Sequence, residues 1–335
     1  MENLVNSSPL ILVLVFLVIG FAFLMKGADF FVEGSSSIAK RLKVPPIIIG
    51  LTIVAMGTSL PETAVSVTAS LVNNNELAVS NVVGSNIFNL MVVVGVCSIL
   101  TPILVQKETI KRDIPFSMIC AFLLLGLGIL AVGDKSGMTL GHLDGMILLG
   151  FFAGYIVAMI QSAMKARAAG KNVEIEGIEE REEEIGILSW PKSILFIVGG
   201  ALAIAFGGDL TVDAASRIAI DLGMSQTLVG LTIVSIGTSL PELVTSVVAA
   251  RKNEVDMAVG NAVGSNIFNI LMVLGIASAI NPVALIRENI IDIVILIVFS
   301  LIVWIYAATK RKISRKEGIS MVCMYLIYAG YIIWR

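Results

Sequence analysis

The chain has 335 residues, of which 57% are hydrophobic and 14% charged, with a net charge of −2; soluble domains average roughly 45–50% and 25%. A water-soluble globule is excluded, and so is nucleic acid as a partner, because the 23 Lys and Arg are scattered over loops and form no basic stripe. At about 20 apolar residues per membrane helix, a mean hydropathy of +0.94 leaves room for ten spans in the lipid bilayer and no separate soluble domain.

In chain order, apolar runs lie near 9–39, 45–71, 78–100, 114–132, 143–164, 190–220, 226–250, 257–279, 289–309 and 317–334. The stretch before the first run has no Lys or Arg and no small-residue cleavage site follows it, so this run is read as a mature helix. The loops 40–44, 101–113, 165–192, 251–252 and 310–316 hold 18 of the 23 Lys and Arg. Positive loops stay in the cytoplasm, which places both termini outside the cell membrane. Between the fifth and sixth runs, residues 165–191 read as a cytoplasmic linker, with the acidic run Glu174 to Glu184 as a solvated stretch. Cys97, Cys120 and Cys323 sit in apolar runs and read as buried small hydrophobes. His142, the sole histidine, falls in an outside loop and is read as solvated.

Residues 50–70, GLTIVAMGTSLPETAVSVTAS, recur at 230–250 as GLTIVSIGTSLPELVTSVVAA. At the same offset, NVVGSNIFNL at 81–90 recurs as NAVGSNIFNI at 261–270. The chain therefore reads as an all-α membrane protein of ten helices in two five-helix repeats, residues 1–164 and 192–335, joined by the linker 165–191. Five spans per copy is an odd number, so the second copy enters the membrane from the opposite side. Loop charge agrees: Lys40, Arg41 and Lys43 align with Ile220, Asp221 and Gly223, while Arg251 and Lys252 align with Leu71 and Val72. Inverted repeats are a ground plan of secondary transporters, with the substrate site at mid-membrane between the halves.

The repeated segments carry the chemistry. Glu62 and Glu242 place a carboxylate in the membrane interior, where an ionisable group is costly and marks function. In a continuous helix, Thr58 and Ser59 would share a face with Glu62, as Thr238 and Ser239 would with Glu242. Pro61 and Pro241 cannot donate to the carbonyls of Gly57 and Gly237, which kinks each helix and frees backbone oxygens. Ser85 with Asn89, and Ser265 with Asn269, follow Gly84 and Gly264, whose lack of side chain weakens the helix or permits close packing. Ser66 and Ser246 are expected to bond their own helix backbone. The donor set is all oxygen with two negative charges, which suits a hard cation such as calcium and offers nothing for zinc or copper.

These two motifs, GTSLPE followed by GSNIFN in both halves, resemble the alpha repeats of the sodium/calcium exchangers in the cation/calcium antiporter superfamily. The resemblance implies sodium exchanged for calcium by alternating access, with no covalent cofactor and with transported Ca2+ and Na+ as the only small partners. It implies calcium at Glu62 and Glu242 with backbone oxygens near Thr58 and Thr238. Sodium would use Ser59, Ser85, Ser239 and Ser265 with the carbonyls of Ala55 and Ser235; Asn89 and Asn269 complete the site. The first and sixth spans would be long tilted helices sliding past the other eight. Asn at both 89 and 269, where some relatives carry Asp, argues against potassium co-transport. The linker is too short for the calcium-sensing domains of animal exchangers. A monomer is the expected unit. Proton/calcium antiport is the competing reading within the class. A cation channel is the competitor outside it, and two inverted halves in one chain speak against a pore made by a ring of subunits. No serine has a basic partner, so no enzyme chemistry is expected.

Overall fold

Apolar runs of this length can satisfy their backbone in lipid only by coiling on themselves, and helices account for nearly all of the described residues. A computed structural model describes residues 2–71, 75–130, 138–168, 187–224, 233 and 235–334. The helices are α1 (Leu10–Leu42), α2 (Pro46–Thr58), α3 (Leu60–Leu71), α4 (Ala78–Leu100), α5 (Thr109–Ile129) and α6 (His142–Ala168). The second half holds α7 (Trp190–Asp221), α8 (Leu240–Arg251), α9 (Val255–Ile280), α10 (Arg287–Lys310) and α11 (Arg315–Trp334). Among the described residues, eight helices are long and apolar enough to cross a membrane, or nine if α2 and α3, bent by 48°, count as one span. The run expected at 226–250 lies partly outside the described residues, and α8 is its described end.

Helices α4 and α9 form the centre, with 78% and 83% of their apolar windows buried, against 22% for α1 and 33% for α7. Their middles exchange bonds: Asn86 Nδ2 donates to Asn266 O and Asn266 Nδ2 to Asn86 O, both at 3.1 Å. Outside this centre, α1 and α7 pack mainly on each other. Gly20, Gly27 and Gly34 face Gly207, Gly200 and Ser193 in turn, which makes the two helices antiparallel. The small residues recur every seven positions, so one stripe of each helix stays on the seam. A Cβ on Gly27 would lie 2.9 Å from the Gly200 carbonyl oxygen, and one on Gly200 only 2.7 Å from that of Gly27. The backbones touch. Phe23 with Phe206 and Phe30 with Phe196 flank the seam at centroid distances of 5.1 and 4.9 Å. Polar ties from α1 to the turn between α8 and α9 are few: Lys252 Nζ reaches Asp29 Oδ1 at 3.4 Å and Asp29 O at 3.0 Å, and Ser36 donates to Glu254.

Widened π-turns interrupt three of the inner helices, at Gly50–Val54, Asn89–Val93 and Asn269–Val273. In the first, the Ala55 N–H bonds to the Gly50 carbonyl, so the Leu51 carbonyl loses its regular partner. The Tyr155 hydroxyl takes that place at 3.0 Å. Such turns concentrate at functional sites.

Several expectations need correction. The chain is not purely α: β1 (Ile103–Leu104) pairs antiparallel with β4 (Lys312–Ile313), and β2 (Thr139–Leu140) with β3 (Val283–Ala284). Each short ladder joins a loop of the first half to one of the second, since both loops need partners for their backbone groups near the membrane. The expected linker is shortened, because α6 continues to Ala168 and α7 begins at Trp190; the acidic run 174–184 lies outside the described residues. Cys97 and Cys120 are buried, but Cys323 is exposed on the outer face of α11, where lipid accepts an apolar thiol as readily as a core does. His142 is not in a free loop: it opens α6, and its Nδ1 lies 3.0 Å from the Ala279 carbonyl oxygen.

Candidate ion-binding site

The motif GTSLPE breaks its helix in the same way in both halves. Ser59 (φ −82°, ψ 8°) and Ser239 (φ −93°, ψ 3°) leave helical geometry, and a new helix starts at the following Leu with Pro at its second position. Proline is tolerated there because the first N–H groups of a helix have no internal partner. The break changes where the side chains go. Thr58 and Ser59 do not share a face with Glu62 as a continuous helix would require.

The two halves trade serines. Ser59 Oγ donates to Glu242 Oε1 at 3.2 Å, while Ser239 Oγ lies 3.5 Å from Glu62 Oε1. Each carboxylate also takes the serine of its own half's GSNIFN segment: Ser85 Oγ donates to Glu62 Oε1 at 3.4 Å, and Ser265 Oγ to Glu242 Oε1 at 3.5 Å. Ser239 Oγ reaches Ser85 Oγ at 3.0 Å, and Thr58 Oγ1 lies 3.5 Å from Ser265 Oγ. All these residues are buried. Glu62, Glu242, Ser59, Ser239, Ser85, Ser265 and Thr58 thus form one connected cluster. Thr238 is half-buried and donates to Asn81 Oδ1 at 3.3 Å. Ala55 is fully buried, and its carbonyl lies 3.3 Å from Thr58 Oγ1. Ser235 opens the short helical turn Ser235–Gly237.

Asn89 and Asn269 sit at the first position of equivalent π-turns, yet their environments differ. Asn269 Nδ2 donates to Asn86 Oδ1 at 3.1 Å, whereas neither side-chain polar atom of Asn89 has a protein hydrogen-bond partner. Other buried side-chain atoms without a protein hydrogen-bond partner include Thr245 Oγ1, Asn266 Oδ1, Asn269 Oδ1, and the second oxygens, Glu62 Oε2 and Glu242 Oε2. Buried oxygens without donors are costly, and an anionic one most of all. Two carboxylates in a low-dielectric interior repel each other unless positive charge lies between them. A cation, or a proton on one carboxyl, would relieve this donor set.

Sequence reasoning missed part of the cluster. Ser66 and Ser246 do not confine themselves to their own helix: Asn81 Nδ2 donates to Ser66 Oγ at 3.1 Å, and Asn261 Nδ2 donates to Ser246 Oγ at 2.9 Å. The correction follows from the Asn four residues before each GSNIFN serine, a spacing that puts both on one helix face. Gly264 serves close approach, since a Cβ there would lie 2.8 Å from the Ala55 side chain and 3.0 Å from the Leu51 carbonyl oxygen. Among the described residues there is no cluster of three or more His, Cys, Asp or Glu.

Comparison with known proteins gives a consistent result. The family model described as "Sodium/calcium exchanger protein" matches residues 12–161 and 192–334. The chain is 38% identical over 323 residues to CaxA of Alkalimonas amylolytica, covering 94% of this chain and 96% of that protein. It is 33% identical over 336 residues to the sodium/calcium exchanger MaX1 of Methanosarcina acetivorans, covering 93% and 96%. Among solved structures, the sodium-calcium exchanger NCX_Mj soaked with zero Na+ and Ca2+ is similar with a TM-score of 0.79, 30% identity and coverage of 97% and 100%.

Proposed function

Because this chain belongs to the sodium/calcium exchanger family, a family of cation/calcium antiporters, we propose that it moves calcium across the membrane in exchange for sodium, by alternating access. The observation that carries this reading is the reciprocal wiring of the site, in which Ser59 of one half bonds Glu242 and Ser239 of the other lies beside Glu62. A site built equally from two inverted halves presents the same oxygens to either side of the membrane, as alternating access requires. In this reading calcium sits between Glu62 and Glu242 with backbone oxygens near Thr58 and Thr238. Sodium ions take Ser59, Ser85, Ser239 and Ser265 with the carbonyls of Ala55 and Ser235, and Asn89 and Asn269 lend amide oxygens. Calcium accepts six to eight oxygens in tolerant geometry, and the unpartnered oxygens of the cluster supply part of that number.

The architecture behind it is ten spans in two inverted five-helix halves, residues 1–164 and 192–335, with both termini outside the cell membrane. The antiparallel seam of α1 and α7 supports the inversion, because the two helices occupy equivalent places in the repeat. The same seam supports a moving pair: α1 and α7 are bound to each other by close backbone contact and a hydrogen bond from Ser193 Oγ to Ser37 Oγ at 3.2 Å, and to the rest by few polar ties among the described residues.

Reconstitution tests the reading. Proteoliposomes loaded with sodium and diluted into sodium-free buffer should accumulate radioactive calcium, and choline-loaded vesicles should not. Uptake driven by an imposed pH gradient and indifferent to sodium would make the counter-ion a proton. Flux without any ion on the far side would make the protein a channel.

A further inference from the structure

We propose that Asn261 and Asn81 are positioning residues that aim the threonine hydroxyls of the opposite half, and that Asn261 thereby keeps the Ala55 carbonyl open for sodium. This rests on the site assignment above. Asn261 is fully buried on α9, one turn before Ser265. Its Nδ2 is anchored by Ser246 Oγ at 2.9 Å and by the Glu242 carbonyl at 3.3 Å. Its Oδ1 then faces Thr58 Oγ1 at 3.0 Å. Asn81 repeats the arrangement, anchored on Ser66 Oγ at 3.1 Å and accepting from Thr238 Oγ1 at 3.3 Å.

A threonine hydroxyl has one proton. Thr58 has four acceptors for it: Asn261 Oδ1 at 3.0 Å, Val54 O at 3.2 Å, Ala55 O at 3.3 Å and, farthest, Ser265 Oγ at 3.5 Å. The asparagine is the nearest, and the two carbonyls are the ordinary back-bonds of a helical threonine. While the proton points at Asn261, the Ala55 carbonyl keeps its lone pairs. Without the asparagine the proton falls back on Ala55 or Val54, and a donor occupies the oxygen that a sodium ion would use. Neither asparagine hydrogen-bonds a carboxylate oxygen, so calcium held by Glu62 and Glu242 is touched less. The device selects between the two ions, and it sits across the interface of the halves, with Thr58 on one and Asn261 on the other.

Equilibrium binding of sodium and of calcium to the purified full chain, by isothermal titration calorimetry on wild type, Asn261→Leu, Thr58→Val and the double variant, tests this. Loss of one buried hydrogen bond predicts an apparent sodium Kd about five- to tenfold higher for Asn261→Leu, and a calcium Kd changed by less than about threefold. If the asparagine acts through the threonine proton, the double variant binds sodium as Thr58→Val does. Additive effects on sodium, or equal weakening of both ions, overturn the proposal. Should Asn261→Leu not fold, Ser246→Ala removes the shorter of the two anchors of Nδ2 and should weaken sodium alone, about two- to threefold; no change there also overturns it. A wild type that binds calcium but not sodium overturns the coupling-ion reading and this inference together, whereas a wild type that binds both with an additive cycle overturns this inference only.

Discussion

The helix pair α1 and α7 and the pair α4 and α9 each join equivalent elements of the two repeats, and they do so by opposite means. Between α1 and α7 the contact is glycine against backbone, with a Cβ-to-carbonyl clearance of 2.7 Å at Gly200. Between α4 and α9 it is a pair of amides, Asn86 and Asn266, each donating to the other's backbone carbonyl at 3.1 Å. A dispersion seam in lipid consists of many weak contacts of which a shifted register can recover most. A buried amide exchange is all or none, because an unmade bond leaves a donor and an acceptor stranded. Two elements of the one repeat thus supply, in the first, a surface that can slide and, in the other, a joint that cannot.

The largest expected effect breaks the joint's cargo and leaves both pairs intact. Glu62→Gln or Glu242→Gln removes one unit of charge from the cluster; a unit charge is worth about 4 kcal/mol against another at 4 Å and an effective dielectric of about 20, so calcium affinity should fall by more than about a hundredfold. Calcium flux in proteoliposomes should be lost while size-exclusion profile and helicity stay normal. Retained wild-type flux in either variant would sink the site assignment. Next comes the seam. Gly27→Leu or Gly200→Leu cannot fit between touching backbones, and overpacking of about 1–3 kcal/mol should lower the melting temperature in detergent and slow exchange. The same change at Gly199, where a Cβ would meet nothing within 4 Å, should leave both unchanged, which sharpens the contrast between seam and lipid face.

A smaller effect is expected from Tyr155→Phe, which leaves the Leu51 carbonyl of the π-turn without its donor. Thermal unfolding should show a loss of about 1–3 kcal/mol. The smallest is Lys252→Gln, which removes a partly exposed ion pair with Asp29. Such pairs are worth about 0–1 kcal/mol and fade with salt, so exchange rates should shift slightly at low ionic strength and converge with wild type at high.

Much of this was legible before the coordinates. Hydropathy marks spans because lipid forces each segment to satisfy its backbone alone, and the repeat is visible because both copies keep the residues around Pro61 and Pro241. The identity of the polar cluster was also readable, since carboxylates, hydroxyls and amides at membrane depth have few other uses. Its wiring was not. Which serine meets which glutamate depends on the break at Ser59 and Ser239 and on how the halves interleave, and neither is a local property of the chain. The π-turns have no shared sequence signature: two follow GSNIF, and the first, at Gly50–Val54, does not. Asn81, Asn261, Ser66 and Ser246 were within reach, because an Asn four residues before the serine falls on the same face. So was the seven-residue spacing of Gly20, Gly27 and Gly34, which went unread because each glycine alone looks like ordinary membrane-helix composition.

The pocket holds two carboxylates, and its other two equivalent positions, Asn89 and Asn269, are neutral amides. That count sets the electrical character of a transport cycle. A site carrying charge −2 becomes neutral when one calcium ion fills it, and it becomes positive only when more than two sodium ions do. If the proposed exchange carries three sodium ions, the membrane voltage would act on the sodium-loaded crossing alone, at about 2.3 kcal/mol per charge for each 100 mV, and would leave the calcium-loaded crossing untouched. Replacing either amide by an aspartate would reverse this, turning calcium's crossing into the one that feels the field.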